Sequence, residues 1–263
     1  MVEARAEAQS PEEDKDTVCY VYGIVPADVA TDERARGVGD SPVETVMQGK
    51  IAALVSLIPH DTMLGQAEDL VAHERLLDLA AAETPVLPFR FGSVMSSEHA
   101  VRDELLAPYH DEFLSALSEF EGRREFVVHA RYVEETILRE VLTENEEAAR
   151  LHERIRAQGE EADQQDLVAL GELIFNAIAA KREADSHTVA EAIAPLSVSI
   201  APRDPRNEDD AVNIAFLVGI DHEQEFRAAV EEIAENWTNR VGLRLLGPLA
   251  PYDFATSRTT PEE

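Results

Sequence analysis

Val18 to Pro26, VCYVYGIVP, is an apolar and aromatic run that stops at a proline, the pattern of a buried strand with a defined end. Ile51 to Pro59, IAALVSLIP, repeats it, and the polar stretch from Thr31 to Pro42, with Gly37 and Gly39, predicts a loop between the two. The period then becomes helical. From Glu68 to Ala82, Leu70, Leu77 and Ala81 share one face with His73 while Glu74 and Asp78 lie off it, and Pro85 stops the helix. In TPVLPFRFGSVM, Thr84 to Met95, Leu87, Phe89 and Phe91 alternate with Pro88, Arg90 and Gly92, which reads as a buried strand interrupted by an arginine. Ser97 is placed to cap a helix in which Val101, Leu105, Tyr109, Phe113 and Leu117 recur every four residues, with a break or kink at Pro108. Gly122 ends that helix, and EFVVHARYV, Glu125 to Val133, reads as the last strand of the first half.

Beyond Glu134 the spacing is helical through Ile137, Val141, Leu142, Ala148 and Ile155, then after Gly159 through Leu167, Leu170, Ile174 and Ile178, which predicts a helical hairpin. Asp185 or Ser186 is positioned to cap a short helix before Pro195. Leu196 to Ala201 and Ala211 to Val218 read as an antiparallel pair across the turn-prone PRDPRNEDD. Asp221 then caps a helix with Phe226, Val230, Ile233 and Trp237 on one stripe, and Gly242 to Leu249 closes the unit as a strand. The expected fold is α+β in two domains: a ferredoxin-like sandwich over 17–133, and a helical hairpin with a small, mostly antiparallel sheet over 134–250. Residues 1–16 read as a disordered acidic tail and 251–263 as a C-terminal tail.

Charge changes this picture. Asp and Glu number 53 against 23 Lys and Arg, a formal net charge of −30 in 263 residues. Such a chain repels itself at low ionic strength, whereas near 1 M salt the Debye length falls to about 3 Å, so the composition suggests a halophile's cytosol. The same field repels phosphate backbones and anionic lipid, so neither nucleic acid nor a membrane is an expected partner. The opening MVEARAEAQSPEEDKD has no apolar core of a signal peptide, and the apolar runs fall short of the ~20 residues a membrane span requires.

The candidate chemistry is sparse. Cys19 stands alone, which excludes an intramolecular disulfide and a cysteine-based zinc site, and its apolar strand points to a buried inert thiol. The eight histidines form no HExxH and no i, i+4 pair, so no metal is expected. No nucleophile elbow or glycine-rich phosphate loop occurs, and no catalytic residue or cofactor is expected. With so many acids, carboxylate pairs are uninformative. His73, on the inward face of its helix, reads as a hydrogen-bonded structural histidine. Arg90 has two readings, one orienting the junction between the halves and one offering its guanidinium to a partner; the first is preferred. A rival function is a small-ligand binder or enzyme on a ferredoxin-like scaffold, with His73, Arg90 or Arg131 in a site between the domains.

VCYVYGIVP near the start, the helix with His73, then TPVLPFRFGSVM, GRREFVVHARY and the ending LLGPLAPYDF together resemble the gas vesicle GvpF/GvpL family over Val18 to Phe254. Leu249 departs from the aromatic that commonly follows Gly-Pro in that ending, and the acidic opening lies outside the shared region. The length leans towards the GvpL type of haloarchaea. The resemblance implies a non-enzymatic, cytoplasmic accessory protein of gas vesicle nucleation and assembly, associated with gas vesicles and contacting the shell protein GvpA and other accessory Gvp proteins. The structural or partner-contact candidates are His73, Pro88, Arg90, Phe91, Gly92, Pro248, Tyr252 and Phe254, and the two rings of the Pro251 to Phe254 segment, costly to leave exposed, are expected to fold it back to pin the junction between the halves.

Overall fold

The structure, a computed structural model, describes residues 17–29 and 34–255. The predicted acidic opening and the end of the predicted C-terminal tail lie outside these residues. In chain order the elements are β1 (Thr17–Pro26), β2 (Glu44–Gln48), β3 (Ile51–Pro59), α1 (Ala67–Glu83), β4 (Leu87–Pro88), β5 (Val94–Met95), a single turn α2 (Glu98–Ala100), a π-helix (Val101–Leu106) and α3 (His110–Phe120). They continue with β6 (Arg123–Tyr132), α4 (Glu134–Glu144), α5 (Glu146–Gln158), α6 (Gln164–Ile193), β7 (Ser199–Pro202), β8 (Asp210–Gly219), α7 (Glu223–Asn236), β9 (Val241–Leu249) and α8 (Tyr252–Ala255). The chain divides into two compact units, one ending at Glu121 and the other beginning at Gly122.

The first unit builds an antiparallel sheet in the order β2-β3-β1-β4, with β5 also pairing with β1. From Cys19 to Val25 every residue is buried, because β1 is central and has neighbours on both edges. The strand β2 was not expected from sequence: only Val46 of its five residues is buried, so the inward alternation that signals a strand is almost absent. Where a ferredoxin-like βαββαβ unit carries its first crossover helix, this unit has a loop with one 3-10 turn, Val38–Asp40. Ser97 Oγ accepts from the Ala100 N–H at 3.1 Å, capping α2. The helical stripe predicted after it is interrupted: Ala107 N–H bonds back five residues to Arg102 O, and α3 starts again only after Pro108, which has no N–H to continue the ladder.

Two expectations are corrected here. Thr84 to Met95 is not one core strand but two fragments of two residues, β4 and β5, flanking a turn at Arg90 to Ser93. Glu125 to Val133 does not close the first sheet. As β6 it is central to the second sheet, order β7-β8-β6-β9, so the boundary between units lies at 121/122 rather than 133/134. That sheet, with three helices α4 to α6 as its first crossover and α7 as its second, follows the ferredoxin-like βαββαβ order, whereas the ferredoxin-like class was expected for the first half.

Period-two alternation explains the second core. Phe126, Val128, Ala130 and Tyr132 of β6 and Val212, Ile214, Phe216 and Val218 of β8 share one face, against Ile137, Val189, Ile193, Phe226 and Val230 from the helices. Phe226 is the aromatic hub, with ring centroids 5.3 Å from Phe126 and 5.7 Å from Phe216. The expected hairpin is three helices, since Asn145 ends α4 and caps α5 by accepting from Glu147 and Ala148 N–H. α6 runs unbroken through Asp185 and Ser186, so Asp185 caps nothing; it accepts from Tyr132 Oη at 2.6 Å and pairs with Arg240 at 2.9 Å. Asp221 lies in a 3-10 turn, and α7 begins at Glu223 with no side-chain cap.

Because β6 is the central strand of the second sheet, a fragment of residues 122–255 is expected to retain a cooperative urea transition at high salt, whereas one of residues 134–255 is expected to lack it. Circular dichroism during denaturation distinguishes the two.

Candidate functional site

The segment from Thr84 to Met95 folds around two tyrosines of β1. Against β3, β1 carries an extra residue between Val21 and Gly23, and Tyr20 and Tyr22 stand with ring centroids 4.8 Å apart. His73, on α1, is 1% exposed and lies 5.7, 5.6 and 5.7 Å from the rings of Tyr20, Tyr22 and Phe91. Its Nε2–H donates to Phe89 O at 3.1 Å, since a carbonyl can only accept. Nδ1 therefore accepts from Tyr20 Oη at 2.9 Å, and Tyr20 Oη in turn accepts from Gly92 N–H at 3.0 Å. Burial lowers the His73 pKa against the opposing Phe89 carbonyl, keeping the ring neutral near pH 7. A parallel relay runs from Val38 N–H to Tyr22 Oη, then from Tyr22 Oη to Ser56 Oγ, and from Ser56 Oγ to Pro42 O.

Gly92 is where the segment requires glycine. The Ser93 N–H donates to Arg90 O across the turn, and Gly92, third in it, has φ of +89°, a conformation that side chains with a Cβ disfavour. Pro88 is buried and pairs with Gly23, Phe91 is half-buried, and Arg90 and Gly92 are exposed. Among the described residues the Arg90 guanidinium makes no hydrogen bond or ion pair. Phe89 N–H donates to Tyr22 O and Val21 N–H to Ser93 O, so the turn completes the free edge of β1.

The other candidates belong to the second unit. Gly247 passes Phe126 so closely that a Cβ would stand 2.5 Å from its ring and 2.9 Å from Glu125 O, and Pro248 follows through a cis peptide bond. After β9 the chain turns into Pro251 to Ala255, with Pro251 buried and Tyr252 and Phe254 half-buried. Arg203 Nε donates to Asp253 Oδ1 at 3.1 Å, and its Nη2 lies 2.9 Å from Oδ2 in the same ion pair. Glu125, 1% exposed, accepts from the Asp253 N–H at 3.2 Å. Burial first, and Asp253 second, push its carboxyl up to about 9, so it is protonated near neutrality. Arg131 is also engaged in this unit, 3.3 Å from Asp210.

Two sites escaped the sequence reading. Glu125 was hidden because an acid out of phase with Phe126, Val128 and Ala130 reads as facing solvent, whereas the central strand β6 is covered on that side too. Asp210 was hidden because its partners are scattered: His129 Nε2 at 2.9 Å, and the N–H groups of Arg206 and Asn207 at 2.7 and 3.0 Å. Burial alone would raise the Asp210 carboxyl, but those two N–H groups and His129 hold it below its ordinary value. Asp210 thereby fixes the loop between β7 and β8. Among the described residues no cluster of three His, Cys, Asp or Glu could hold a metal ion, and Cys19 is buried, its thiol pushed up to about 12 chiefly by that burial.

A family model described as gas vesicle synthesis protein GvpL/GvpF matches residues 18–256. A gas vesicle protein F from Streptomyces sp. (strain CB03234) is 34% identical over 238 residues, covering 89% of this chain and 98% of that protein. One from Dolichospermum flosaquae is 24% identical, covering 90% and 96%. The crystal structure of GvpF from Anabaena sp. PCC7120 superposes with a TM-score of 0.74 at 26% identity, over 91% of this chain and 98% of that one. GvpF from Microcystis aeruginosa shares the fold, with a TM-score of 0.73 at 23% identity over 90% and 98%. These relatives bear the name GvpF and come from a Streptomyces and from cyanobacteria, not from haloarchaea.

Two substitutions probe these networks. Tyr20→Phe leaves the Gly92 N–H and His73 Nδ1 without their shared hydroxyl and is expected to destabilise the first unit by ~1–3 kcal/mol in urea unfolding. For Glu125, the folded chain holds its proton more tightly than the unfolded one, so its contribution to stability is lost as pH rises from the ordinary 4.5 towards about 9. Glu125→Gln is expected to flatten that decline in melting temperature; an unchanged slope would place the responsible proton elsewhere.

Proposed function

The chain belongs to the GvpL/GvpF family of gas vesicle synthesis proteins and serves gas vesicle formation, and from that premise we propose that it is a non-enzymatic accessory protein of vesicle nucleation and assembly. It binds the shell protein GvpA and other accessory Gvp proteins in the cytoplasm, keeping apolar subunits from uncontrolled aggregation while its own charge of −30 holds the complex in solution at high salt. The observation that carries this reading is the family match over residues 18–256, supported by a shared fold over 91% of the chain.

The internal chemistry supports it further. His73, the residue best placed by sequence to serve a catalytic reading, has both ring nitrogens committed to Tyr20 and Phe89. Arg131 is held by Asp210. Arg90 differs: it stands exposed at the head of a turn whose backbone is locked from behind, so its guanidinium is offered outward on a rigid mount. Exposure favours partner contact for Arg90 over the junction role that the sequence alone suggested.

Deleting the gene is expected to leave cells without vesicles, and the purified chain is expected to retain GvpA in a pairwise test at high salt. Arg90→Ala is expected to leave stability within about 0.5 kcal/mol of the parent while weakening that retention. Cells that still float without the gene would defeat the assembly role, and a drop in melting temperature with retention intact would return Arg90 to a structural part.

A further inference from the structure

Fourteen consecutive residues of α6, Leu167 to Ala180 (LVALGELIFNAIAA), carry a single charge, Glu172, in a chain whose residues are 29% charged. A helical segment apolar on all sides is ordinarily enclosed by protein. Here none of the fourteen is buried, and Leu167, Val168 and Phe175 are 49, 55 and 63% exposed. One flank of the segment packs within the unit, against α5 and through Ile178 against the core, and the helix is anchored beyond it where Val189 and Ile193 enter the core and Arg182 donates to the carbonyls of Asp210 and Glu208. Along the open flank Val168, Gly171, Phe175 and Ala179 fall at i, i+3, i+7 and i+11, a continuous stripe. A Cβ built on Gly171 would meet nothing within 4 Å, so the stripe has open space at its middle.

We propose that this stripe of α6 docks an apolar helix of a different protein chain, one that presents a lysine or arginine opposite Glu172. The inference rests on the assembly reading above and supplies its surface and the chemistry of its partner. A helix fits because side-chain ridges of one helix seat in the grooves of another, and Gly171 lets the two axes approach. A cation is required because Glu172 stands exposed within the stripe, and covering it with apolar groups alone would bury an unpaired carboxylate. The same charge argument selects against a second copy of this chain, since pairing two molecules of net charge −30 through this flank would also set one Glu172-bearing stripe against another. It selects against an anionic lipid surface as well.

The test uses the full chain in cells that make vesicles. A photoreactive benzoylphenylalanine replaces Phe175, and the cross-linked peptide is identified by mass spectrometry. The expected product is an apolar helical segment of another gas vesicle protein that contains Lys or Arg. A cross-link to a second copy, to lipid or to a segment without a cation overturns the proposal, and so does the absence of any cross-link. With the partner known, Phe175→Asp is expected to weaken its binding about thirtyfold, as an interface anchor does. Glu172→Lys is expected to weaken it too, with recovery when the partner's cation is exchanged for an acid. Should Phe175→Asp leave vesicles and binding intact in cells that lose vesicles without the gene, the surface is wrong while the assembly role stands. Cells that float without the gene remove the assembly role, and the docking proposal falls with it.

Discussion

A polar group carried into an apolar interior must find its partner there, and that requirement organises both units. In the first, Tyr20, Tyr22, Ser56 and His73 are all buried, and their hydrogen bonds reach out to backbone groups of Phe89, Gly92, Val38 and Pro42. The loops are thereby clamped to the sheet by side chains from inside it. In the second, Glu125 and Asp210 do the same for the segment after β9 and for the loop between β7 and β8. Removing one member of such a relay exposes the next to an unmade bond, so each network behaves as a unit rather than a sum of pairs.

This division separates interior from surface. His73 and Glu125, whose titrations burial displaces, are bonded to the scaffold they stabilise. What the molecule offers outward is a strongly negative surface with a few features that interrupt it: the exposed Arg90 on its braced turn, and the almost uncharged half of α6. The binding role proposed for this chain would need such interruptions, because a uniform field of like charge supplies solubility without specificity.

The elements that read clearly were those whose side-chain pattern matched their burial. β1, β3, α1, α7 and β8 each bury a face or a run of apolar residues, so period and outcome agree. β2 was missed because an edge strand with one buried residue has no period to read. Thr84 to Met95 misled because alternation of Leu87, Phe89 and Phe91 mimics a strand, while Gly92 at φ +89° turns the chain. The capping role expected of Asp185 failed for a related reason: an acid in mid-helix, bonded to Tyr132 and Arg240, looks locally the same as one that starts a helix.

By itself the sequence determined the mixed helix and strand class, the strong negative charge, the single thiol and the family resemblance, because composition, local period and short motifs are properties of neighbouring residues. Tertiary structure alone decided that β6 belongs to the second sheet, that the ferredoxin-like order lies there, and that Phe89, Arg90 and Gly92 form a bracket around Tyr20 and His73. It also decided that one flank of the apolar half of α6, with Leu167, Val168 and Phe175, stays exposed. Each of these depends on pairing across dozens of residues, where the energy of a strand's backbone bonds is nearly independent of which distant strand supplies them, and only the packing of whole faces selects the partner.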